Sequence, residues 1–135
     1  MDRFSQILFD LGREMQQNLY PDHNRICQLN YLNKLRVQLS YDEYKELLTI
    51  ATFVCDVPPG KYRENLFKEA LKVNDAFPRL GSFAYSERNN QLVLFEQLYA
   101  PPLKGAKLHQ EVQQFIEKAL EWKTAVERGG ALPSR

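Results

Sequence analysis

The sequence predicts an α+β fold, an antiparallel twisted sheet packed with helices, in the order helix, three strands, helix, two strands, helix. Three observations carry this. Apolar residues recur at three-and-four spacing in three separate stretches, the mark of helices with one buried stripe. Between them, Leu35, Val37, Leu39 and Tyr41 alternate strictly with Arg36, Gln38 and Ser40, the mark of a half-buried strand. The links between neighbouring strands are a few polar residues long, which suits antiparallel partners and excludes helical crossovers there.

The first helix carries Phe4, Ile7, Leu8, Leu11, Met15 and Leu19 on one stripe, with Asp2 placed to cap it and Pro21 marking its end. Gly12 lies on the same face, which predicts close packing there. Cys27, Leu29 and Tyr31 then alternate with Gln28 and Asn30, and "LNK" supplies a turn into the strand of Leu35–Tyr41. After the polar break "DEYKE", Leu48 to Cys55 is apolar or small on both sides and rich in branched residues, so it belongs at the centre of the sheet. "VPPG" stops it.

From Lys61 to Phe77 the helical period returns, with Tyr62, Leu66, Ala70, Val73, Asn74 and Phe77 on one stripe and Phe67 and Leu71 beside it. Pro78 and Gly81 end that helix; Phe83 and Tyr85 begin a strand, and "ERNN" turns it back into "NQLVLFEQLYAPP". The last helix runs through Leu108, Val112, Phe115, Ile116, Ala119, Trp122 and Val126 to the pair Gly129-Gly130. One domain over residues 1–128 and a mobile tail over 129–135 follow.

The segment "NQLVLFEQLYAPP" poses a packing problem. On a two-residue period Leu92, Leu94 and Leu98 fall on one side, and Val93, Phe95 and Tyr99 on the other. Either helices cover both faces of the sheet, or the second face is covered by another polypeptide. Three broad helical stripes and two strands apolar on both sides exceed what 135 residues readily hide, so self-association is expected.

Composition narrows the function. At 44% hydrophobic and 26% charged, with 18 basic against 17 acidic residues and a net charge of +1, no field of either sign points to nucleic acid or membrane. Strand aromatics such as Tyr31, Tyr41, Phe53, Phe83, Tyr85 and Phe95 suit base stacking, but no basic stripe accompanies them. No apolar run is long enough to span a bilayer, and Asp2, Arg3 and Asp10 interrupt any secretory leader, which places the chain in the cytoplasm.

Chemistry is hard to assemble from these residues. Cys27 and Cys55 read as small buried hydrophobes, and neither has an elbow or orienting group beside it to pair with His23 or His109 as nucleophile and base. Two cysteines and two scattered histidines give no metal set of recognised spacing. "PPGKY" lacks the remaining features of a phosphate loop. The expectation is no enzyme, no metal and no cofactor.

The ordered series "ILFDLG", "RICQLNY", "QLSYDE", "FKEALKVN" running into "FPRLGSFAY", "QLVLFEQL" and "FIEKALEW" resembles the class I type III secretion chaperones, the CesT/SycE-like family, to about Val126. The resemblance implies a small cytoplasmic, non-enzymatic dimer. Such a dimer holds the segment near the amino terminus of a secreted effector extended, soluble and competent for export. It further implies a dimer interface at Leu66, Ala70, Val73, Asn74, Phe77, Phe83 and Tyr85. Asn74 would satisfy backbone groups across the two-fold or cap its own helix. Candidate effector-binding positions are Phe4, Ile7, Leu8 and Leu11 of the first helix and Val93, Phe95 and Tyr99 of the last strand, with a cargo strand added at a free sheet edge. A regulatory adaptor of the same fold, binding a transcription or secretion-gating protein, is the alternative. Two departures stand out. Gly81 is followed by Ser82 where the family commonly has a glycine pair, and the pI near 7.7 is less acidic than the family's habit. The second points to an unusual cargo, or to a heterodimer with a related chaperone in place of a homodimer.

Overall fold

The computed structural model describes residues 2–76 and 81–133. Helix α1 (Arg3–Met15) starts where Asp2 accepts a hydrogen bond from the Ser5 amide at 2.8 Å. That bond, with the Arg25 guanidinium 2.8 Å away, holds the Asp2 carboxyl down at about 2. Strands β1 (Ile26–Tyr31), β2 (Leu35–Asp42) and β3 (Leu47–Asp56) form a meander. Helix α2 (Gly60–Asp75) then leads to β4 (Ser82–Ser86) and β5 (Gln91–Tyr99), and α3 (Gly105–Glu127) closes the order. The sheet runs β1-β2-β3-β5-β4, every neighbour antiparallel, with β3 at its centre.

Gly12 is buried, and a Cβ there would stand 2.5 Å from the Gln17 carbonyl, so the chain leaving α1 folds back tightly over it. Gly81 has φ +89°, and its missing Cβ would lie 2.9 Å from the Phe95 carbonyl. Glycine is required at that position alone. Ser82 already pairs with Phe95 as a strand residue, a backbone any side chain adopts, so a second glycine has no geometric work to do.

The two faces of the sheet differ. Cys27, Leu29, Val37, Leu39, Leu48, Ile50, Leu92 and Leu94 are buried in one core with Phe4, Leu8, Leu11, Leu66, Phe115, Ile116 and Trp122 of the helices. Phe83 meets Trp122 with ring centroids 4.5 Å apart, and Phe4 stacks on Tyr41 at 6.2 Å. Thr52, the buried polar residue of this face, donates to the Arg36 carbonyl at 3.0 Å. All three helices therefore lie against the same side of the sheet. Coverage of both faces by helices, one of the two expectations from the sequence, does not occur.

The apolar doubling of β3 comes from a bulge and from an outer face that no helix covers. A bulge between Phe53 and Cys55 turns both Val54 and Cys55 inward, while Ala51 and Phe53 keep facing out. Elsewhere, the Tyr62 hydroxyl shares its one proton between the carbonyls of Gly130 (2.9 Å) and Ala125 (3.2 Å), and Leu132 packs on the core.

Candidate functional site

Among the described residues, three surfaces carry exposed aromatic or aliphatic side chains. The first is the outer face of the sheet. Register places Gln28, Gln38, Ala51, Phe95 and Ser82 in one row across all five strands, and Phe53, Val93 and Ala84 in the next. Phe53 is 46% exposed, Phe95 38% and Tyr99 57%, and Val93 is half-buried between them. A cleft of about 90 Å³ lies among Arg36, Gln38, Ala51, Thr52, Phe53 and Val93. Phe53, Val93 and Phe95 at neighbouring registers make an apolar patch, with Tyr99 set apart from it by the polar row of Ser40, Thr49 and Gln97, and such a patch costs solvation unless a partner covers it.

The second surface is the seam between α2 and β4. A cleft of about 230 Å³ is bordered there by Phe67, Ala70, Leu71, Asn74, Phe83 and Tyr85. Of the interface positions implied by the resemblance, Ala70, Asn74, Phe83 and Tyr85 border this cleft, while Leu66 and Val73 are buried beneath it in the chain's own core. Phe77 lies outside the described residues. Leu71, 66% exposed, and Phe67 are the apolar groups that face out, and they stand beside the predicted stripe. Arg63 covers the aromatic wall, its guanidinium 4.9 Å from the Phe67 ring and 4.8 Å from that of Tyr85.

Asn74 does something the sequence did not suggest. Its Nδ2 donates to the Phe83 carbonyl at 2.9 Å, and the Phe83 amide donates to its Oδ1 at 2.7 Å. One side-chain amide thus pairs with β4 of its own chain as a neighbouring strand residue would, on the edge away from β5.

The third surface is a groove of about 660 Å³ beside α1, lined by Ser5, Leu8, Phe9, Arg13, Leu19 and Tyr20 among others. Phe4, Ile7, Leu8 and Leu11 are all buried within the chain's own core; Leu8 forms part of the groove floor, and the exposed aromatics of the groove are Phe9 and Tyr20. The helical stripe therefore anchors α1, and the residues one position off that stripe present themselves to solvent. Arg36, Phe53, Phe9, Phe67 and Leu71 were not singled out as site residues from sequence; the strand alternation contained the signal for the first two.

Neither cysteine thiol is activated. Burial pushes the Cys55 thiol up to about 11 and raises that of Cys27, the opposite of an activated nucleophile. Among the described residues no group of three or more potential ligands could hold a metal ion, and no helix is long and apolar enough to cross a membrane. Strand aromatics divide between faces: Tyr31, Tyr41, Phe83 and Tyr85 share the helix-facing parity, leaving Phe53, Phe95 and Tyr99 outside. Glu96, on the helix side between Leu94 and Leu98, is pushed up to about 7 by burial and by Glu111, against the pull of Lys118.

The chain is a small α+β fold with one sheet face covered by helices, one open face carrying exposed apolar side chains, and no metal-ligand cluster among its described residues. The chain belongs to the Tir chaperone protein (CesT) family, which it matches over residues 6–123. This is the type III secretion chaperone class that its ordered motifs resemble. Comparison with curated proteins found no match. Among solved structures, the chain is similar to one in the HopA1–SchA chaperone–effector complex, with 19% identity, 90% of this chain and 94% of that one covered, and a TM-score of 0.73. It is similar to one in the ExsC–ExsE complex at 18% identity, covering 92% and 96% with a TM-score of 0.77. A third likeness is to the Yersinia pestis type III secretion chaperone SycH in complex with a fragment of YscM2, at 14% identity, 87% and 97% coverage and a TM-score of 0.66. These likenesses are of fold.

Proposed function

We propose that the protein is a cytoplasmic type III secretion chaperone that binds the segment near the amino terminus of a secreted effector and holds it extended, soluble and ready for export. It acts without catalysis and without a cofactor. The observation that carries this reading is the bare outer face with Phe53, Val93, Phe95 and Tyr99, in a chain of the chaperone family. A segment that has no fold of its own loses conformational freedom on binding, so burial of several anchors must outweigh that loss. Each Leu- or Phe-sized side chain fully buried contributes about 1.5–3 kcal/mol, so a few anchors suffice for tight, reversible holding.

In this reading Val93, Phe95 and Tyr99 touch cargo directly. Phe4, Ile7, Leu8 and Leu11 act one step back, fixing α1 so that Phe9 and the groove beside it stay open. Two subunits meet along α2 and β4, where Phe67 and Leu71 join Ala70, Asn74, Phe83 and Tyr85, with Leu66 and Val73 beneath and Phe77 following α2. The partner subunit is a second copy; a related, more acidic chaperone is the heterodimeric alternative. The ExsC–ExsE and SycH–YscM2 complexes, alongside HopA1–SchA, favour keeping a regulatory adaptor as the second reading, since the fold takes partners of several names.

The test is co-purification from the native host with mass identification of the bound protein, wild type against Phe95→Glu. An exported partner held by the wild type, with affinity lowered more than about tenfold (about 1.4 kcal/mol) by the substitution, is expected. A variant that keeps its circular dichroism and binds the same partner equally well removes the outer face from the site. A bound regulator that is not exported would favour the adaptor. Light scattering should give twice the subunit mass of 15.8 kDa; a stable monomer that holds nothing refutes the whole reading.

A further inference from the structure

The outer face is unusual in its charge. The chain is 26% charged, yet the outward positions of its five strands are mostly amides, hydroxyls, alanines and aromatics. Asp42 and Asp56 stand at two ends of this face, and both are engaged. Asp42 accepts from the Tyr44 and Lys45 amides at 3.0 and 3.1 Å, and Asp56 accepts from Gln91 Nε2 at 2.8 Å. Arg36 is the cation within the face. It is exposed, makes no ion pair with any described residue, and lines the cleft of about 90 Å³ together with Phe53 and Val93.

An apolar notch with one uncompensated guanidinium on its wall selects a particular ligand. The guanidinium presents a planar fork of donors whose best match is a carboxylate. Side chains on one side of an extended peptide recur every second residue, so the group beside a seated anchor is two positions away. A second copy of this chain would offer Arg36 only Asp42 and Asp56, which stand at the ends of the face, so a self-complementary contact leaves the notch beside Arg36 facing amides, hydroxyls and apolar side chains. Nucleic acid is excluded by the lone cation.

We propose that the Arg36–Phe53–Val93 cleft reads an acidic sequence in its partner: an aliphatic side chain of about valine-to-leucine size in the notch, with an Asp or Glu two residues away on Arg36. The proposal rests on the reading of the protein as a holder of extended chains, and it adds a sequence preference to that reading. Gln38 and Gln28 continue the same face toward β1 and offer amide donors and acceptors to the partner's main chain.

The experiment selects peptides from a phage-displayed random dodecapeptide library on the wild type, Arg36→Glu and Phe53→Ser. Selected peptides are then synthesised with Glu or Lys at the second position from the anchor, and their affinities measured by fluorescence anisotropy. The wild type should enrich an aliphatic-x-acidic pattern. Arg36→Glu should lose about tenfold or more for the Glu peptide and gain for its Lys counterpart, and Phe53→Ser should weaken both. Because Arg36 is exposed, the variant keeps its fold, and circular dichroism verifies it. Selection of the same peptides by wild type and Arg36→Glu overturns the proposal while leaving a peptide-holding protein. No selection by the wild type overturns it as well, and the co-purification experiment then decides whether the broader reading also falls. A change of Arg36→Glu from dimer to monomer would give the face to a second copy and equally overturn it.

Discussion

Replacing Asn74 by Leu keeps the approximate shape and removes both bonds to Phe83. Each neutral hydrogen bond of this kind contributes a net of about 0.5–1.5 kcal/mol, and a donor or acceptor left unmet away from water costs about 1–3 kcal/mol. The site is part-buried, so water recovers some of the loss, and about 2 kcal/mol is the expected destabilisation. With a urea m-value of about 1–3 kcal/mol/M for a chain of this size, the midpoint should fall by about 1 M at fixed protomer concentration. Hydrogen exchange supplies the local readout: the Phe83 amide, protected by the Asn74 carbonyl, should exchange far faster in the variant. Asn74→Asp sharpens the test. Its carboxylate keeps the acceptor for the Phe83 amide but sets negative charge against the Phe83 carbonyl, whereas the protonated acid donates to it. Folding therefore raises that carboxyl's pKa. The resulting stability is present at low pH and lost as pH rises through the folded value. An unmoved urea midpoint in Asn74→Leu with a still-protected Phe83 amide would refute the account of this side chain as a substitute strand.

Two further outcomes follow from the core. Glu96→Gln should flatten the stability profile between pH 4.5 and about 7, because the wild-type group, raised from its ordinary 4.5, contributes stability that is present below 4.5 and lost as pH rises through about 7. The side chain keeps some solvent, so screening reduces the effect to about 1–2 kcal/mol, read by urea titrations at pH 5 and 8; equal pH slopes would count against the burial of this carboxylate. Gly12→Ala should destabilise by about 1–2 kcal/mol despite alanine's better helix propensity, since its Cβ meets the Gln17 carbonyl. A higher melting temperature for that variant would show the connector after α1 yields freely.

The order of elements was legible because periodicity is local. Leu35 to Tyr41 alternates in sequence as it does in burial, and Asp2 caps α1 as its position suggested. What escaped depends on distant chain. Asn74 and Phe83 are nine residues apart, and no local pattern says that a helix amide will replace a strand. The bulge at Val54 changes which parity faces inward partway along β3, which a fixed two-residue period does not anticipate. On α1 and α2 the sequence located the stripes, and the apolar groups left facing out stand one residue to the side, at Phe9, Phe67 and Leu71, because most of the stripe packs into the core. Glu96 was visible in principle: it shares the parity of Leu92, Leu94 and Leu98, and a carboxylate in that series had to be buried or to interrupt the packing.

The edges of the sheet bear on how a partner would attach. Addition of a cargo strand at a free edge was the expectation from sequence, yet each edge has side chains on it. At β4, Asn74 occupies both main-chain groups of Phe83. At β1, Asp22 bonds the Ile26 amide at 3.0 Å, the Asp22 amide bonds the Ile26 carbonyl at 2.9 Å, and Gln17 reaches the Asn30 carbonyl at 3.4 Å. An incoming strand must first break these bonds, gaining main-chain hydrogen bonds whose net value is no larger than those it displaces. A chain laid across the outer face displaces only water from Phe53, Val93, Phe95 and Tyr99, and the gain there scales with the apolar area covered. Edges partly occupied in this way also hinder a chain with exposed aromatics from pairing edge to edge with its own kind. On the proposed reading, affinity for an extended partner is drawn from side chains on this face, and sequence preference enters at the notch beside Arg36.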